Sequence, residues 1–150
     1  MAEINTFDVW FNGITSSVSK AIAGWTPGTL TSEKQYRDSL FAELRVTFPK
    51  AKIEREYRDT GTTADICLIW NGILTVTKIY IELKYNLTKK TEYNRLLGQI
   101  MDMAPRENKI FVVLCGHTDI EFSERLRAHL TEYTEPSMPY SGVNMEIINK

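Results

Sequence analysis

Two charged residues in an apolar stretch have side chains and a spacing that are suited to catalysis. In IYIELKYN, residues 79–86, an extended chain places Glu82 and Lys84 on one side. The opposite side is apolar and consists of Ile79, Ile81, Leu83 and Tyr85. Strongly apolar segments precede and follow this stretch, which predicts a central strand rather than an edge strand. A carboxylate and an ammonium on one face of a central strand indicate a site.

A second carboxylate stands at the start of the apolar run ADICLIW, where Asp65 precedes a predicted buried strand. NGI at 71–73 is a hairpin signal, so the partner of Asp65 should fall at about residues 80–84. Asp65 and Glu82 would then repel each other unless a divalent cation lies between them, and oxygen ligands suit Mg²⁺ or Mn²⁺. Lys84 could hold a developing negative charge or position an attacking water. The pattern therefore predicts metal-assisted attack on a phosphate ester.

These residues also carry a family resemblance. GTTAD at 61–65, followed after sixteen residues by ELK at 82–84, resembles the signature of the PD-(D/E)xK, or restriction-endonuclease-like, nuclease superfamily. That superfamily includes Holliday junction resolvases and RecB-type nuclease domains; Ala64 stands where its name has proline. The similarity covers about residues 33–115. It implies a Mg²⁺- or Mn²⁺-dependent endo- or exodeoxyribonuclease that hydrolyses phosphodiester bonds in DNA.

The resemblance also implies roles for single residues. Asp65 and Glu82 would bind the metal together with the main-chain carbonyl of Leu83, and Lys84 would orient or activate the attacking water. Gln99, in RLLGQI, is similar to the glutamine that several branches place beside the active site.

Further acids and cations are candidates for the same site, but more than one residue fits each role. Glu56 is placed like the extra acid of some families, and either Glu43 or Asp38 could match the helix-borne glutamate of the resolvases. The choice among these three stays open. A predicted loop and the helix after it carry basic residues that could grip phosphates: Lys89, Lys90 and Arg95.

Other interpretations of the same residues remain. Glu82 and Lys84 could form a solvated strand face, Asp65 could close the preceding turn, and Gln99 could be structural. The whole chain could also be a catalytically inactive nuclease-like domain that serves DNA binding or protein assembly.

The elements that must position these residues follow from periodicity and turn signals. Thr31 or Ser32 can cap a helix that runs to about Thr47 before Pro49. Strands are predicted at 52–59, 64–70, 76–85, 109–115 and 143–148, and later helices at 92–104 and 119–133. The first strand, KIEREYRD, alternates Ile53 and Tyr57 with glutamates. The order predicts an α/β or α+β sandwich with a mixed sheet of about four to five strands between helices.

Length and composition limit the class of protein to which the chain can belong. At 150 residues and 17.3 kDa, with 43% hydrophobic and 25% charged residues, we expect one globular domain. We expect no signal peptide and no membrane span, and Cys67 and Cys115 lie in apolar runs typical of buried thiols, so a cytoplasmic protein is predicted. A net charge of −1 exerts no overall pull toward nucleic acid, so DNA contact requires a local basic patch.

Residues 1–28 are predicted to be a helical extension outside the 33–115 core. Phe7, Trp10, Phe11 and Ile14 recur at helical spacing and could form a homodimer interface.

Overall fold

A computed structural model of the chain describes residues 13–59, 61–103, 109–130 and 145–150. It contains a five-stranded mixed sheet flanked by four helices, which confirms the predicted fold class. The helices are α1 (Ile14–Gly24), α2 (Glu33–Thr47), α3 (Lys90–Met103) and α4 (Ile120–His129). The strands are β1 (Lys52–Asp59), β2 (Thr62–Asn71), β3 (Val76–Tyr85), β4 (Lys109–Cys115) and β5 (Met145–Asn149).

The sheet order is β1-β2-β3-β4-β5. β1, β2 and β3 form an antiparallel meander, and β3, β4 and β5 are parallel, joined through the α3 and α4 crossovers. β3 therefore lies in the middle of the sheet, as its apolar residues predict. The hairpin between β2 and β3 closes where Gly72 N–H donates to the Thr75 carbonyl at 2.8 Å.

Each face of the sheet is covered by a separate apolar cluster. α1 and α2 pack over one face through side chains that include Leu40, Leu44, Ile66 and Ile81. α3 and α4 pack over the other face, against Tyr80, Val112 and Leu114 among others. The two cysteines, one in each cluster, are free buried thiols as predicted. Burial raises the pKa of both Cys67 and Cys115 to about 12.

Local signals explain where α2 begins. The Ser32 hydroxyl accepts the Gln35 N–H at 3.2 Å, and the Gln35 side chain accepts the Thr31 N–H at 2.8 Å. This reciprocal capping fixes the first turn of α2, which carries Glu33. The C-terminal end of α1 is tied to the last residue of the chain, because the Lys150 ammonium donates to the Trp25 carbonyl at 2.8 Å.

The expected alternation of β1 fails at one position. Ile53 packs with the α1–α2 cluster, whereas Tyr57 packs with the α3–α4 cluster, although an even spacing should put both on one face. Glu56 between them has a φ of +50°, a left-handed conformation that interrupts the pleat. The same interruption occurs in β2, where Ala64 and Ile66 pack on opposite faces.

The helical extension predicted for the N-terminus is described only from residue 13 onward. Ile14 is buried against the core, and Phe7, Trp10 and Phe11 lie outside the described residues. No helix in the described ranges is long and apolar enough to cross a membrane.

Candidate functional site

The site is built where β2 and β3 separate. Their antiparallel pairing runs from Asn71 with Val76 to Ile66 with Ile81. The next position places Asp65 opposite Glu82, inside the range predicted from the hairpin signal. There the Asp65 carboxylate, through Oδ2, accepts the main-chain N–H of Leu83 at 2.8 Å. At this point the Asp65 side chain, instead of the main chain of β2, accepts a hydrogen bond from β3.

Glu82 is buried, with 2% of its surface exposed, and its carboxyl is hydrogen-bonded to that of Asp65. Removal from water is the main cause that raises the pKa of Glu82 to about 9, and the Asp65 charge and the hydrogen bond add to it. The Lys84 ammonium opposes the shift. At neutral pH the buried Glu82 carboxyl is therefore protonated and neutral beside Asp65.

Lys84 follows on the same strand and is itself mostly buried, with 16% of its side chain exposed. Its Nζ lies 3.7 Å from Oε1 of Glu33, in the first turn of α2. Burial raises the pKa of Glu33; the Asp65 charge adds to this, whereas Lys84 and the Tyr85 N–H lower it. Glu33 thus joins the cluster from a separate element.

The main-chain carbonyl of Leu83 faces the same gap. In a strand the N–H and the C=O of one residue point to the same side. Because the Leu83 N–H donates to Asp65, its carbonyl also points toward the Asp65 side of β3. Two carboxylates and one main-chain carbonyl are the oxygen types that Mg²⁺ and Mn²⁺ accept.

The described residues do not by themselves form a complete coordination shell for a metal. Among the described residues, no three acidic, histidine or cysteine side chains are grouped closely enough to hold an ion. Magnesium is usually bound by only one or two carboxylates, with water and substrate phosphate completing its shell. The donor set of Asp65, Glu82 and Leu83 is therefore compatible with that ion.

Gln99 lies on α3, on the face of the sheet that also carries Tyr80. Its Oε1 is buried and has no hydrogen-bond partner among the described residues. A buried amide oxygen without a donor is costly, and this one is able to accept a further hydrogen bond.

The additional acids chosen from the sequence lie outside the cluster. The Glu56 side chain is 71% exposed and binds Arg37 on α2 with an Nη1–Oε1 distance of 3.0 Å. Asp38 pairs with Arg55 at 3.1 Å. Glu43 is ten residues after Glu33 on the same helix, which is about 15 Å along its axis. Glu33 is the acid that α2 does bring to the site, and it is not among the acids predicted from the sequence, where nothing connects the start of this helix with Lys84.

The predicted phosphate-gripping residues Lys89, Lys90 and Arg95 are exposed at the start of α3 and just before it. A cavity of about 460 Å³ lies elsewhere, between α1 and the first residues of β4 and β5, and Lys20, Lys109 and Glu146 are among its lining. It is separate from the carboxyl cluster and contains none of the predicted site residues.

Comparisons of the chain with models of protein families, with curated proteins and with solved structures return no match.

Proposed function

We propose that the chain is a divalent-metal-dependent nuclease that hydrolyses phosphodiester bonds in DNA. The observation that carries the proposal is the contact between the carboxyls of Asp65 and Glu82 beside the Lys84 ammonium, where β2 and β3 separate. A strand face whose charges served only solubility would be exposed, and Glu82 is not. The resemblance of GTTAD and ELK to the PD-(D/E)xK signature supports the same reaction class.

Asp65, Glu82 and the Leu83 carbonyl would hold Mg²⁺ or Mn²⁺. When bound, the ion would offset the negative charge of the substrate phosphate and act as a Lewis acid. The raised pKa of Glu82 supports this assignment, because burial and the neighbouring Asp65 charge both favour the protonated form when no cation is present. A bound divalent cation would supply positive charge between the two acids and favour the ionised form of Glu82.

Lys84 provides a fixed cation beside the reacting phosphate. Glu33 holds its ammonium from α2, so the lysine is oriented by two elements rather than by its own flexible chain. In this position Lys84 orients the attacking water or stabilises the charge that develops on the phosphate. The unpaired amide oxygen of Gln99 would support the site from α3 as a positioning group.

Cleavage assays with matched amide variants test the proposal. Supercoiled plasmid and short labelled duplex and single-stranded DNA would be incubated with Mg²⁺ or Mn²⁺. We expect Asp65→Asn and Glu82→Gln to lose at least about 100-fold in rate, because each removes a charged ligand. Glu121→Gln, an exposed acid in an ion pair on α4, is the control and should cleave like the wild type.

Equal cleavage by the wild type and Asp65→Asn, or no cleavage of any DNA form by the wild type, would contradict the proposed nuclease.

The two free buried thiols support a cytoplasmic location for this activity, because reducing compartments preserve free cysteines.

A second candidate is a nuclease-like domain that binds or assembles without catalysis. The observation that favours it is the exposed apolar tip of the β2–β3 hairpin, where Ile73 and Leu74 are 84% and 93% exposed. Calorimetric titration with Mg²⁺ and Mn²⁺ separates the two candidates. Binding that is lost in Asp65→Asn supports the nuclease, whereas its absence in the wild type supports the assembly domain.

A further inference from the structure

A groove of about 750 Å³ runs between α2 and the edge strand β1. Its walls carry four basic side chains, two aromatic side chains and three acids. The basic residues are Lys34, Arg37, Arg55 and Arg58, and the acids are Asp38, Glu54 and Glu56. None of the predicted phosphate-binding residues on α3 belongs to this groove.

Both walls of the groove include residues that are neighbours of the carboxyl cluster in sequence or in strand register. Lys34 follows Glu33 directly, and Arg37 lies one turn further along the same face of α2. Arg37 binds Glu56, which lies between the β1–β2 pairs Arg55 with Ile66 and Tyr57 with Ala64, at the level of Asp65. A ligand that follows the groove past Glu56 and Lys34 would therefore approach Asp65 and Glu33.

Two of the four groove cations, Arg37 and Arg55, contact acids of the groove, and the other two do not. The Arg55 guanidinium lies 4.6 Å from the centre of the Phe41 ring and also binds Asp38, so two contacts with α2 fix its position. Arg37 is largely buried, and its Nε, 3.5 Å from Asp38 Oδ1, makes no hydrogen bond to any described residue. Lys34 and Arg58 have no ion pair with any described residue, so they are free to receive an anion.

We propose that the groove between α2 and β1 binds the phosphate backbone of the nucleic-acid strand that enters the Asp65–Glu82 cluster. This inference rests on the proposed nuclease function, because it assigns the substrate path for that site. Lys34 and Arg58 take phosphates directly. Arg37, whose Nη1 contacts the exposed Glu56, exchanges part of that contact for a phosphate oxygen.

Charge and position favour a nucleic-acid strand over an acidic protein as the occupant. The net charge of the lining is only +4 − 3 = +1, so a folded acidic surface would bring its own carboxylates against Asp38, Glu54 and Glu56. A backbone strand carries its charges in a single row, so it can contact the cations and avoid the acids. The groove also ends beside the carboxyl cluster, where a scissile phosphate would have to lie.

Binding to labelled oligonucleotides in EDTA tests the groove independently of metal and cleavage. Fluorescence anisotropy would give Kd for single-stranded and duplex 20-mers over a range of salt concentrations. We expect Lys34→Gln/Arg58→Gln to weaken binding at least about fivefold and to reduce the slope of log K against log salt by about 1–2, because two phosphate contacts are lost.

Two further double variants have the same loss of charge. Lys20→Gln/Arg125→Gln removes exposed cations from α1 and α4 and should bind like the wild type. Lys90→Gln/Arg95→Gln removes cations at the start of α3 and should weaken binding less than the groove variant. Circular dichroism melts of each variant confirm that it is folded.

The proposal is overturned if the groove variant binds DNA like the wild type, or if the α3 variant loses as much affinity as the groove variant. It is also overturned if polyglutamate displaces the oligonucleotide from the wild type as well as unlabelled DNA of equal charge does. Because these measurements need no cleavage, a groove that binds DNA in a protein that does not cleave it would contradict the nuclease alone.

Discussion

The β2–β3 hairpin has opposite character at its two ends. At its open end, where Asp65 meets β3, the carboxyl of Glu82 is buried with 2% exposure. At its closed tip, Ile73 and Leu74 are almost fully exposed. A buried acid and an exposed pair of large apolar residues both depart from the usual distribution in a folded chain.

The two departures differ in what they require from the rest of the fold. An exposed leucine only forgoes about 1.5–3 kcal/mol of burial, and it is no worse off than in the unfolded chain. A buried carboxyl is destabilised relative to the unfolded chain by several kcal/mol unless it is neutralised or paired. The open end must therefore be maintained at a cost to stability, which is why we assign chemistry to it and not to the tip.

Lys84→Met should give the largest effect. The variant keeps the length and the packing of the side chain and removes the ammonium between Glu33 and Glu82. We expect kcat/KM on a short duplex to fall by about 100-fold or more, close to the effect of removing one stabilising donor from an active site.

Lys84→Arg is the control for Lys84→Met, because it keeps the charge and should retain part of the activity. Full activity in Lys84→Met would show that the buried cation is structural, and the contrast between the two ends of the hairpin would lose its functional meaning.

The pH dependence of stability should reveal the buried acid directly. In the folded, metal-free protein the pKa of Glu82 is raised to about 9, whereas in the unfolded chain it is about 4.3. The folded state thus binds more protons between these values, and its stability is highest at the acidic end and falls as pH rises toward the folded pKa. Urea unfolding should show a loss of several kcal/mol between about pH 5 and pH 9, at about 1.4 kcal/mol per pH unit while only the unfolded state is ionised.

Glu82→Gln is the matched variant, since its amide does not titrate. Its stability should change much less over the same range, and it should be the more stable protein at the alkaline end. Parallel curves for the two proteins would contradict the raised pKa. Adding Mn²⁺ should stabilise the wild type more at high pH than at low pH, because the ion competes with the proton.

Glu33→Gln tests whether α2 contributes to the cluster. The variant leaves Lys84 with a neutral partner, so we expect a loss of about tenfold in kcat/KM, the size typical of a residue that orients a catalytic group. Glu43→Gln on the same helix is the control and should have no effect, because Glu43 lies about 15 Å further along.

A fall in KM in Glu33→Gln without loss of kcat would indicate that the Glu33 charge repels the substrate instead of positioning Lys84. A larger loss in Glu43→Gln than in Glu33→Gln would contradict the cluster and favour the acid first considered from the sequence.

The fold and half of the site were predictable because they depend on local patterns. The NGI signal and the Asp65 position were sufficient to bring Asp65 to Glu82, since antiparallel pairing is set by the turn. Glu33 was not predictable in this way, because its approach depends on where α2 crosses the end of β3. The groove was missed for a similar reason: the positive φ of Glu56 changes which β1 side chains face α2, and alternation alone gives the wrong assignment.

The hairpin tip should show the smallest effect. Ile73→Ser/Leu74→Ser removes two exposed side chains that contribute little to the core, so the free energy of unfolding should change by less than about 0.5 kcal/mol. Leu68→Ala, which truncates a buried residue of the same hairpin, should instead cost about 2–5 kcal/mol. Light scattering at high protein concentration should show less self-association in the double serine variant, since it removes an exposed apolar contact. If the serine variant loses as much free energy of unfolding as Leu68→Ala, the tip is part of the core. Only the open end of the hairpin would then depart from the usual burial of apolar and exposure of charged residues.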